Sequence, residues 1–280
     1  LNFSNMANLK QVLKGKIRQE EIPSSFDIIG NIALFSKLPS SVRKQKLIAN
    51  TLLKLNKNVK TVLLKTGSFS GKYRLAKYKF IAGVKTKEAL YKEYGYILKL
   101  DVERVYFSPR ESTERNRIAS KVKQKEKVLV MFSGCAPLCV AIVKKQPKVE
   151  KVDAIEANPI AYKYALENIK MNNIRDDVTL HLGDVKKALP KINYKYDRII
   201  MPLPKDAYKY FDLALQKIKN NGIIHIYFLS QEDNLYLNWV KIIKNIAKRS
   251  KKKLKIFTKK KVLPYSPRKW KIVFDIMIKS

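Results

Sequence analysis

Cysteine, histidine and acidic residues are scarce in this chain of 280 residues. It contains two cysteines, two histidines and 23 acidic residues, against 59 lysines and arginines. Cys135 and Cys139 form neither a CxxC motif nor a pair with a histidine, which excludes a disulfide framework and gives no indication of zinc. We therefore expect no metal site, and we interpret both cysteines as small apolar packing residues in a reducing compartment.

Long hydrophobic runs are also missing. The longest apolar segment, 128–143, is interrupted by Ser133, Gly134 and Pro137 and is too short to span a bilayer. The first residues do not have the pattern of a signal peptide. These features predict a cytoplasmic protein with no membrane partner, and nothing in the sequence indicates a protein partner.

Basic residues dominate instead, and the formal net charge is +36 at pH 7. A charge of this size indicates a polyanionic partner, and nucleic acid is favoured over a membrane surface. A lysine-rich bias of the whole proteome would give a similar composition. A disordered basic tail is excluded, because 46% of the residues are hydrophobic and 10% are aromatic.

The stretch 127–158 has the order of elements that binds adenosine-type ligands: strand, tight loop, helix, strand. The first strand covers 128–132, the loop begins at Ser133, and the second strand ends on Glu156, a carboxylate that can accept hydrogen bonds from both ribose hydroxyls. The loop has a single glycine, Gly134, before the helix. A dinucleotide pyrophosphate would need more glycines, so S-adenosylmethionine is the better fit. A plain pair of buried strands would share much of this pattern.

The remainder of 101–280 continues the alternation of strands and helices. Strands are predicted at 178–182, 196–201 and 223–228, and an antiparallel pair at 254–262 and 272–278 closes the sheet. This order predicts an α/β, doubly wound, Rossmann-like domain, in which ligands bind beyond the carboxyl ends of the strands. Asp184 follows the third strand and would bind the exocyclic amine of adenine. Taken alone, Asp184 or Glu156 is also typical of a surface residue or a helix cap.

Residues 1–100 predict a small α/β domain that precedes the Rossmann-like one. Helices are expected at 5–20 and 39–55, and strands within 26–35 and at 61–65 and 73–78. Lysines and tyrosines alternate in 77–99, as nucleic-acid binding requires, although a solvated surface would have the same composition. Between the domains, Ser112 to Glu114 predicts the start of a helix, with Ser or Thr as its cap.

The loop after the fourth strand, Met201-Pro202-Leu203-Pro204, limits which chemical groups can accept the methyl group. Amino-methylating enzymes with an Asn/Asp-Pro-Pro-aromatic loop use the amide oxygen to hold an NH2 group, and this loop has no amide. A ring nitrogen that loses its proton to a carboxylate, or a ring carbon, is therefore favoured. A methyl sulfonium is already a strong electrophile, so the enzyme has to position and deprotonate the acceptor.

Further motifs occur in collinear order along nearly the whole chain. They are FDIIGNIAL (26–34), YFSPR (106–110) followed by Glu114-Arg115, MFSG (131–134), 155–159, 201–205, GIIHIYFL (222–229) and YSPR (265–268). This set resembles the archaeal and eukaryotic tRNA guanine-N1-methyltransferases, which act on the purine 3′ of the anticodon, position 37. The resemblance implies that the partner is the anticodon stem-loop of tRNA.

Roles for individual residues follow from this resemblance. It implies that Glu114 takes the proton from guanine N1, that Arg74 stabilises the charge growing on O6, and that Tyr106 lies at the methionine end of the cofactor. Pro202 is expected at the acceptor. The whole expected cofactor site consists of Tyr106, Phe132, Ser133, Gly134, Glu156, Asp184 and Pro202.

Three departures from the family pattern affect what can be expected. The printed sequence begins where the second domain of the family should begin, after a small domain that contacts the outer corner of tRNA. Ala136 stands where many members have a second loop glycine. Pro202 stands where the N1-only enzymes usually have asparagine, as in an archaeal subgroup of which some members also methylate carbon 7 of the tricyclic wyosine intermediate.

Three functions therefore stay open. The favoured one is a tRNA guanine-N1-methyltransferase, and the sequence leaves open whether it also methylates carbon 7 of the wyosine intermediate. The second resembles the sister enzymes of wyosine biosynthesis, which transfer the aminocarboxypropyl group of the same cofactor and should not need a base such as Glu114. The third is a basic RNA-binding protein with an inactive methyltransferase fold, against which Glu114, Glu156 and Asp184 argue.

Overall fold

The computed structural model describes residues 3–279, and the chain divides into two compact units, Leu1–Pro109 and Arg110–Ser280. The division lies later than the boundary after residue 100 that the sequence predicts. Residues 102–107 stay with the first unit because they continue its packing. The Val102 amide donates to the Lys87 carbonyl oxygen at 2.9 Å, and the Phe107 ring packs edge-on against Tyr91 with centroids 5.0 Å apart.

Among its described residues, the first unit contains two α-helices, a four-stranded sheet and a hairpin. Its elements are α1 Phe3–Val12, β1 Asp27–Ile29, β2 Ile32–Phe35, α2 Val42–Leu55, β3 Thr61–Lys65, β4 Tyr78–Gly83, β5 Glu88–Glu93 and β6 Tyr96–Asp101. The sheet order is β1-β2-β3-β4, with β2 and β3 parallel, and β5 pairs with β6. The Ser41 hydroxyl caps α2 at the Lys44 amide, and Ile48 and Leu52 of this helix are fully buried in the core.

Two predictions for this unit are wrong in detail. The helix predicted at 5–20 ends at Val12, and turns follow it. The strand predicted at 73–78 is a turn, in which the backbones of Ser70 and Leu75 pair with each other, and β4 begins only at Tyr78. Arg74 has φ of 54°, in the left-handed region, which lies outside the backbone range of a regular strand.

The second unit contains a seven-stranded sheet and six helices among its described residues. In chain order its elements are α3 Ser112–Ala119, β7 Lys127–Met131, α4 Pro137–Lys145, β8 Lys151–Glu156, α5 Pro159–Met171, β9 Val178–Leu182, α6 Val185–Ala188, β10 Tyr196–Met201, α7 Phe211–Lys217, β11 Ile218–Gln231, α8 Leu237–Arg249, β12 Lys253–Ser266 and β13 Lys269–Lys279.

The strands of this sheet follow the order β12-β13-β11-β10-β7-β8-β9. From β11 to β9 all neighbours are parallel, and β13 is antiparallel to both β11 and β12. Residues 128–131 are all fully buried, as expected for a parallel strand with helices on both faces. The predicted fold class is confirmed: an α/β, Rossmann-like methyltransferase domain preceded by a small α/β unit.

Two local features of the second unit differ from the prediction. The strand predicted at 223–228 is part of the longer β11, in which the register against β10 shifts and Asn221 has φ of 60°. The helix α3 begins at Ser112 as expected, but its cap is Glu111, whose side chain makes no capping hydrogen bond. Ser112 is therefore the first helical residue and not the cap.

Candidate active site

The loop after β7 turns sharply before α4 begins. Phe132, Gly134 and Ala136 all have φ between 57° and 61°, in the left-handed region. The Ser133 amide donates to the Ile155 carbonyl oxygen at 3.0 Å, which attaches this loop to β8. A non-glycine residue in the left-handed region is strained, so a glycine at position 136 would relieve strain here. The backbone nevertheless makes the same turn with Ala136.

Glu156 at the end of β8 organises this loop. Its Oε2 accepts a hydrogen bond from the Gly134 amide and its Oε1 one from the Asn158 amide, both at 2.7 Å. Burial raises the pKa of Glu156 above its usual value, while hydrogen bonds from the amides of Asn158, Gly134 and Ala157 oppose that rise. A half-buried carboxylate of this kind has unused acceptor capacity for two further hydroxyl donors.

The Ser133 hydroxyl tests whether these residues fit the predicted cofactor. Its oxygen is buried and has no hydrogen-bond partner among the described residues. Buried polar atoms normally have partners, so this hydroxyl indicates that a polar ligand group binds beside it. With Glu156 on the neighbouring strand end, the loop offers what the ribose and the amino-acid part of S-adenosylmethionine require. The residues present therefore fit the cofactor.

Asp184 follows β9 and caps the short helix α6. Its Oδ1 accepts a hydrogen bond from the Lys186 amide at 2.9 Å, so the helix-cap interpretation is correct for this residue. The Tyr210 ring packs edge-on against Phe132, with centroids 5.0 Å apart, and burial followed by the charge of Asp184 raises the pKa of Tyr210. Phe132, Asp184 and Tyr210 therefore border one corner of the site, and Tyr210 was not predicted from the sequence.

Pro202 begins the loop after β10. The loop is attached to β11, because the Leu229 amide donates to the Pro204 carbonyl oxygen at 3.0 Å. Pro202 is half-buried and directly follows Met201, which is fully buried. The loop therefore presents a proline ring in place of an amide at the carboxyl edge of the sheet.

Glu114 is a buried carboxylate in the first turn of α3. Its Oε2 accepts from Nε of Arg117 and its Oε1 from Nη2 of Arg117, both at 2.7 Å. Oε1 also accepts from the Tyr227 hydroxyl at 2.6 Å. Oε1 thus has two donors and Oε2 one within the described chain, and Oε2 is the oxygen with more room for a third proton donor.

The register of β11 places Glu114 at the ligand edge. Met201, the last residue of β10, pairs with Ile226, so Tyr227 lies just beyond the end of β10. Because Tyr227 contacts Glu114, the carboxylate lies at the edge that carries the loop at Pro202. Burial and the charge of Glu114 raise the pKa of Tyr227 well above its usual value, so Tyr227 acts as a donor.

Arg74 and Tyr106 lie in the first unit and are brought together there. The Arg74 guanidinium lies 5.4 Å from the centroid of the Tyr106 ring, and Phe69 packs edge-on against this ring with centroids 5.5 Å apart. Arg74 lies in a tight turn, where its amide donates to the Gly71 carbonyl oxygen at 3.2 Å. Tyr106 is 38% exposed.

The second unit therefore brings together most of the predicted residues at one edge of its sheet. They are Glu114, Phe132, Ser133, Gly134, Glu156, Asp184 and Pro202. The sequence analysis missed Arg117, Tyr210 and Tyr227. Among residues 3–279, no group of three or more potential metal ligands is found, and no helix is both long and apolar enough to cross a bilayer.

The chain matches two family models. The TRM5/TYW2 methyltransferase domain matches residues 89–256, more than half of the chain, and the TYW2 N-terminal domain matches residues 9–86. Between them the two models cover most of both compact units.

Three curated relatives show the range of functions. The tRNA (guanine(37)-N(1))-methyltransferase Trm5b of Pyrococcus abyssi is 37% identical over 99% of this chain and 80% of its own length. The tRNA (guanine(37)-N(1))/4-demethylwyosine(37)-methyltransferase Taw22 of Nanoarchaeum equitans is 32% identical, over 91% and 99%. The tRNA(Phe) (4-demethylwyosine(37)-C(7)) aminocarboxypropyltransferase of Methanocaldococcus jannaschii is 30% identical, over 88% and 95%.

Solved structures agree with these similarities. Trm5b from Pyrococcus abyssi superposes with a TM-score of 0.83 at 36% identity, over 94% of this chain and 77% of that one. The complex of aTrm5 with tRNALeu has a TM-score of 0.83 at 27% identity, over 97% and 78%. TYW2 of Methanocaldococcus jannaschii, solved with AdoMet, has a TM-score of 0.70 at 27% identity, over 91% and 99%.

Proposed function

Because the chain belongs to the TRM5/TYW2 methyltransferase family, we propose that it methylates N1 of guanosine 37 in tRNA. The predictions of this family, of S-adenosylmethionine as cofactor and of a methyltransferase activity are confirmed. The proposal includes the anticodon stem-loop as the part of the tRNA that is bound, and the cytoplasm as the compartment. Reduced, buried Cys135 and Cys139 fit that compartment.

The observation that carries the proposal is the oriented carboxylate of Glu114. A methyl group on sulfonium needs only a nucleophile in line, so the protein must hold the base and remove its proton. As the bond from N1 to the methyl carbon forms and the carbon–sulfur bond breaks, the N1 proton passes to Oε2 of Glu114. Arg117 and Tyr227 fix the carboxylate in one orientation for this transfer.

The cofactor-binding roles are part of the same proposal. S-adenosylmethionine supplies the electrophilic methyl group. Glu156 accepts hydrogen bonds from the ribose hydroxyls, Ser133 and Gly134 contact the ligand from the loop, and Asp184, with Phe132 beside it, borders the adenine. Arg74 stabilises the charge on O6, with Tyr106 stacked against it.

A second activity, methylation of carbon 7 of 4-demethylwyosine, is favoured by Pro202. Proline lacks the side-chain amide that would hold guanine in one pose, and it leaves an apolar wall that accepts a larger tricyclic base. The likeness to Taw22, whose name covers both substrates, supports this extension.

Aminocarboxypropyl transfer is the competing activity, because residues 9–86 match the TYW2 N-terminal domain. One experiment separates the two. The protein is incubated with tRNA carrying guanosine or 4-demethylwyosine at position 37, with cofactor labelled either in the methyl group or in the carboxyl group. Methyl label in 1-methylguanosine supports the proposal. Transfer of carboxyl label alone would establish the competing activity, and no transfer of either label would leave an RNA-binding protein.

The role of Glu114 has a closely matched control. Glu114→Gln should slow single-turnover methyl transfer by about a hundred- to ten-thousand-fold, while cofactor and tRNA still bind. Glu126 is half-buried and accepts from Nε and Nη2 of Arg198, at 2.7 and 2.9 Å. Glu126→Gln therefore removes the same kind of ion pair away from the acceptor and should retain the rate. A Glu114→Gln protein with a near-normal rate would return Glu114 to a structural role.

A further inference from the structure

Asp275 of β13 is a fully buried carboxylate that the proposed reaction does not use. Its Oδ2 accepts from Nη1 of Arg117 at 2.8 Å and from Nζ of Lys121 at 2.9 Å. Its Oδ1 accepts from Nδ1 of His225 at 2.6 Å and from Nη2 of Arg117 at 3.3 Å. These donors hold the pKa of Asp275 well below its usual range against the effect of burial, so Asp275 stays ionised.

Arg117 is shared between two carboxylates. The Nε and Nη2 edge of its guanidinium binds Glu114, and the Nη1 and Nη2 edge binds Asp275. Each pair is bidentate, the geometry in which an arginine–carboxylate contact is strongest. Both carboxylates therefore hold Arg117 in place, and its positive charge acts on Glu114 and on Asp275.

His225 fixes the far side of Asp275 without adding charge. The Nη1 group of Arg198 lies 2.7 Å from Nε2 of His225 and can only donate, so Nε2 accepts and the ring proton is on Nδ1. Burial, opposed by Asp275, lowers the pKa of His225, which stays neutral. The chain of contacts continues from Arg198 to Glu126.

We propose that Asp275 is a positioning residue that sets how readily Glu114 takes up a proton, by sharing the guanidinium of Arg117. With Asp275 ionised, the negative charges of the two carboxylates balance the positive charges of Arg117 and Lys121. Arg117 then still has Asp275 as its partner after Glu114 is protonated. Without the Asp275 charge, both cations would act on Glu114 alone and oppose its protonation. This inference rests on the proposed role of Glu114 as the proton acceptor.

The surroundings of Glu114 allow the sign of each change to be stated. Arg117 from α3 and Tyr227 from β11 contact Glu114 directly. The charged and titratable groups one or two contacts further away are Asp275 of β13 on Arg117, Lys121 and His225 on Asp275, and Lys271 over the Tyr227 ring with its partner Glu111. Lys271 is paired with Glu111 at 2.8 Å, so this pair adds little net charge. The balance therefore depends on Arg117, Lys121 and Asp275.

The test measures single-turnover methyl transfer against pH, with enzyme and cofactor saturating so that binding does not contribute. Asp275→Asn should move the acid limb of the profile down by about one pH unit and lower the plateau, because the base becomes weaker. Lys121→Met removes a cation from the same carboxylate and should move the limb up. Lys121 is 35% exposed at its side chain, so this variant avoids the folding penalty of a change at Asp275.

Glu126→Gln, at the far end of the same chain of contacts, is the control and should leave the acid limb in place. Unchanged limbs in folded Asp275→Asn and Lys121→Met overturn the inference. If Asp275→Asn does not fold, Lys121→Met decides alone. An acid limb shifted to higher pH supports the inference, and an acid limb at the wild-type pH overturns it. A near-normal rate for Glu114→Gln would instead remove the proposed base itself, so the two failures are distinguishable.

Discussion

The Tyr227 hydroxyl donates a 2.6 Å hydrogen bond to Oε1 of Glu114, the oxygen that also accepts from Nη2 of Arg117. Two donors on Oε1 leave Oε2 as the more available acceptor. An α3 side chain and a β11 side chain thus leave the two oxygens of Glu114 with unequal numbers of donors.

The first prediction follows from this contact. Tyr227→Phe removes one donor from Oε1 and allows the carboxylate to accept a proton on either oxygen. We expect a slower single-turnover rate with unchanged cofactor affinity, and a loss of stability of about 1 kcal/mol. Tyr196→Phe removes a buried hydroxyl bonded to Asp153 at 3.1 Å and controls for that loss. Equal rates in the two variants would argue against an orienting role for Tyr227.

The second prediction concerns Glu156. Glu156→Ala removes hydrogen bonds to the ribose and to the amides of Gly134 and Asn158. Losing a hydrogen bond to a charged group costs about 1.5–3 kcal/mol, so cofactor affinity measured by calorimetry should fall by about ten- to a hundredfold or more. Glu150→Ala removes an exposed carboxylate paired with Lys127 and should bind normally. Unchanged affinity in Glu156→Ala would refute the ribose assignment.

The third prediction is a loss of stability in acid. The folded pKa of His225 lies below 6.5 and that of Asp275 below 3.8. The unfolded chain therefore takes up protons first, and the stability due to each group is complete above its unfolded pKa and is lost as the pH falls. As the pH falls below about 6.5, the loss of folding stability due to His225 should reach up to about 1.4 kcal/mol per pH unit. Thermal unfolding of the wild type and of His225→Gln measures this slope, which the variant should lack.

The fourth prediction concerns the charge of the β12 strand. Lys255, Lys259 and Lys260 are exposed on this strand. Because tRNA is a polyanion, we expect these three lysines to contact its phosphates. Changing all three to glutamine should reduce the slope of log affinity for tRNA against log salt by about 0.7–0.9 per lost contact. Lys144 and Lys145 lie at the end of α4 away from its cofactor loop, and the same changes there should keep the slope. Equal salt-dependence slopes in the β12 variant and in the α4 control variant would mean that the β12 lysines do not contact RNA.

The fifth prediction tests the acceptor loop. Pro202→Asn introduces the side-chain amide that the family pattern leads us to expect in N1-only enzymes, and it removes the apolar surface of the proline ring. Methylation of 4-demethylwyosine should then fall more than methylation of guanosine 37 in the same tRNA, as measured by nucleoside analysis. Equal losses on both substrates would mean that Pro202 does not discriminate between them.

Much of this site could be predicted because it follows strand ends. The predicted bounds 61–65, 178–182 and 196–201 are those of β3, β9 and β10, since short apolar runs between polar turns are typical of buried strands. Once the strand order is known, Glu156, Asp184 and Pro202 must lie at one edge. Their location could be predicted from the local sequence pattern and the sheet topology alone.

The partners of Glu114 could not be predicted in this way. Tyr227 is 113 residues away in the sequence, and Asp275 lies 158 residues from Arg117, so no periodicity relates them. The turn at Arg74 was missed for a different reason. A left-handed φ at a residue other than glycine leaves no compositional signal, and the alternating residues around it are typical of a strand.

The order of strands places β12 at the outer edge of the seven-stranded sheet, as a 14-residue strand with one side unpaired. Such an edge invites pairing with another chain and hence aggregation, and lysines along it oppose this by mutual repulsion. Lys255, Lys259 and Lys260 are exposed there. Removing these charges to probe RNA binding should therefore also lower solubility at high protein concentration, and light scattering would detect it. If these lysines contact tRNA as the fourth prediction expects, colloidal stability and tRNA binding depend on the same side chains.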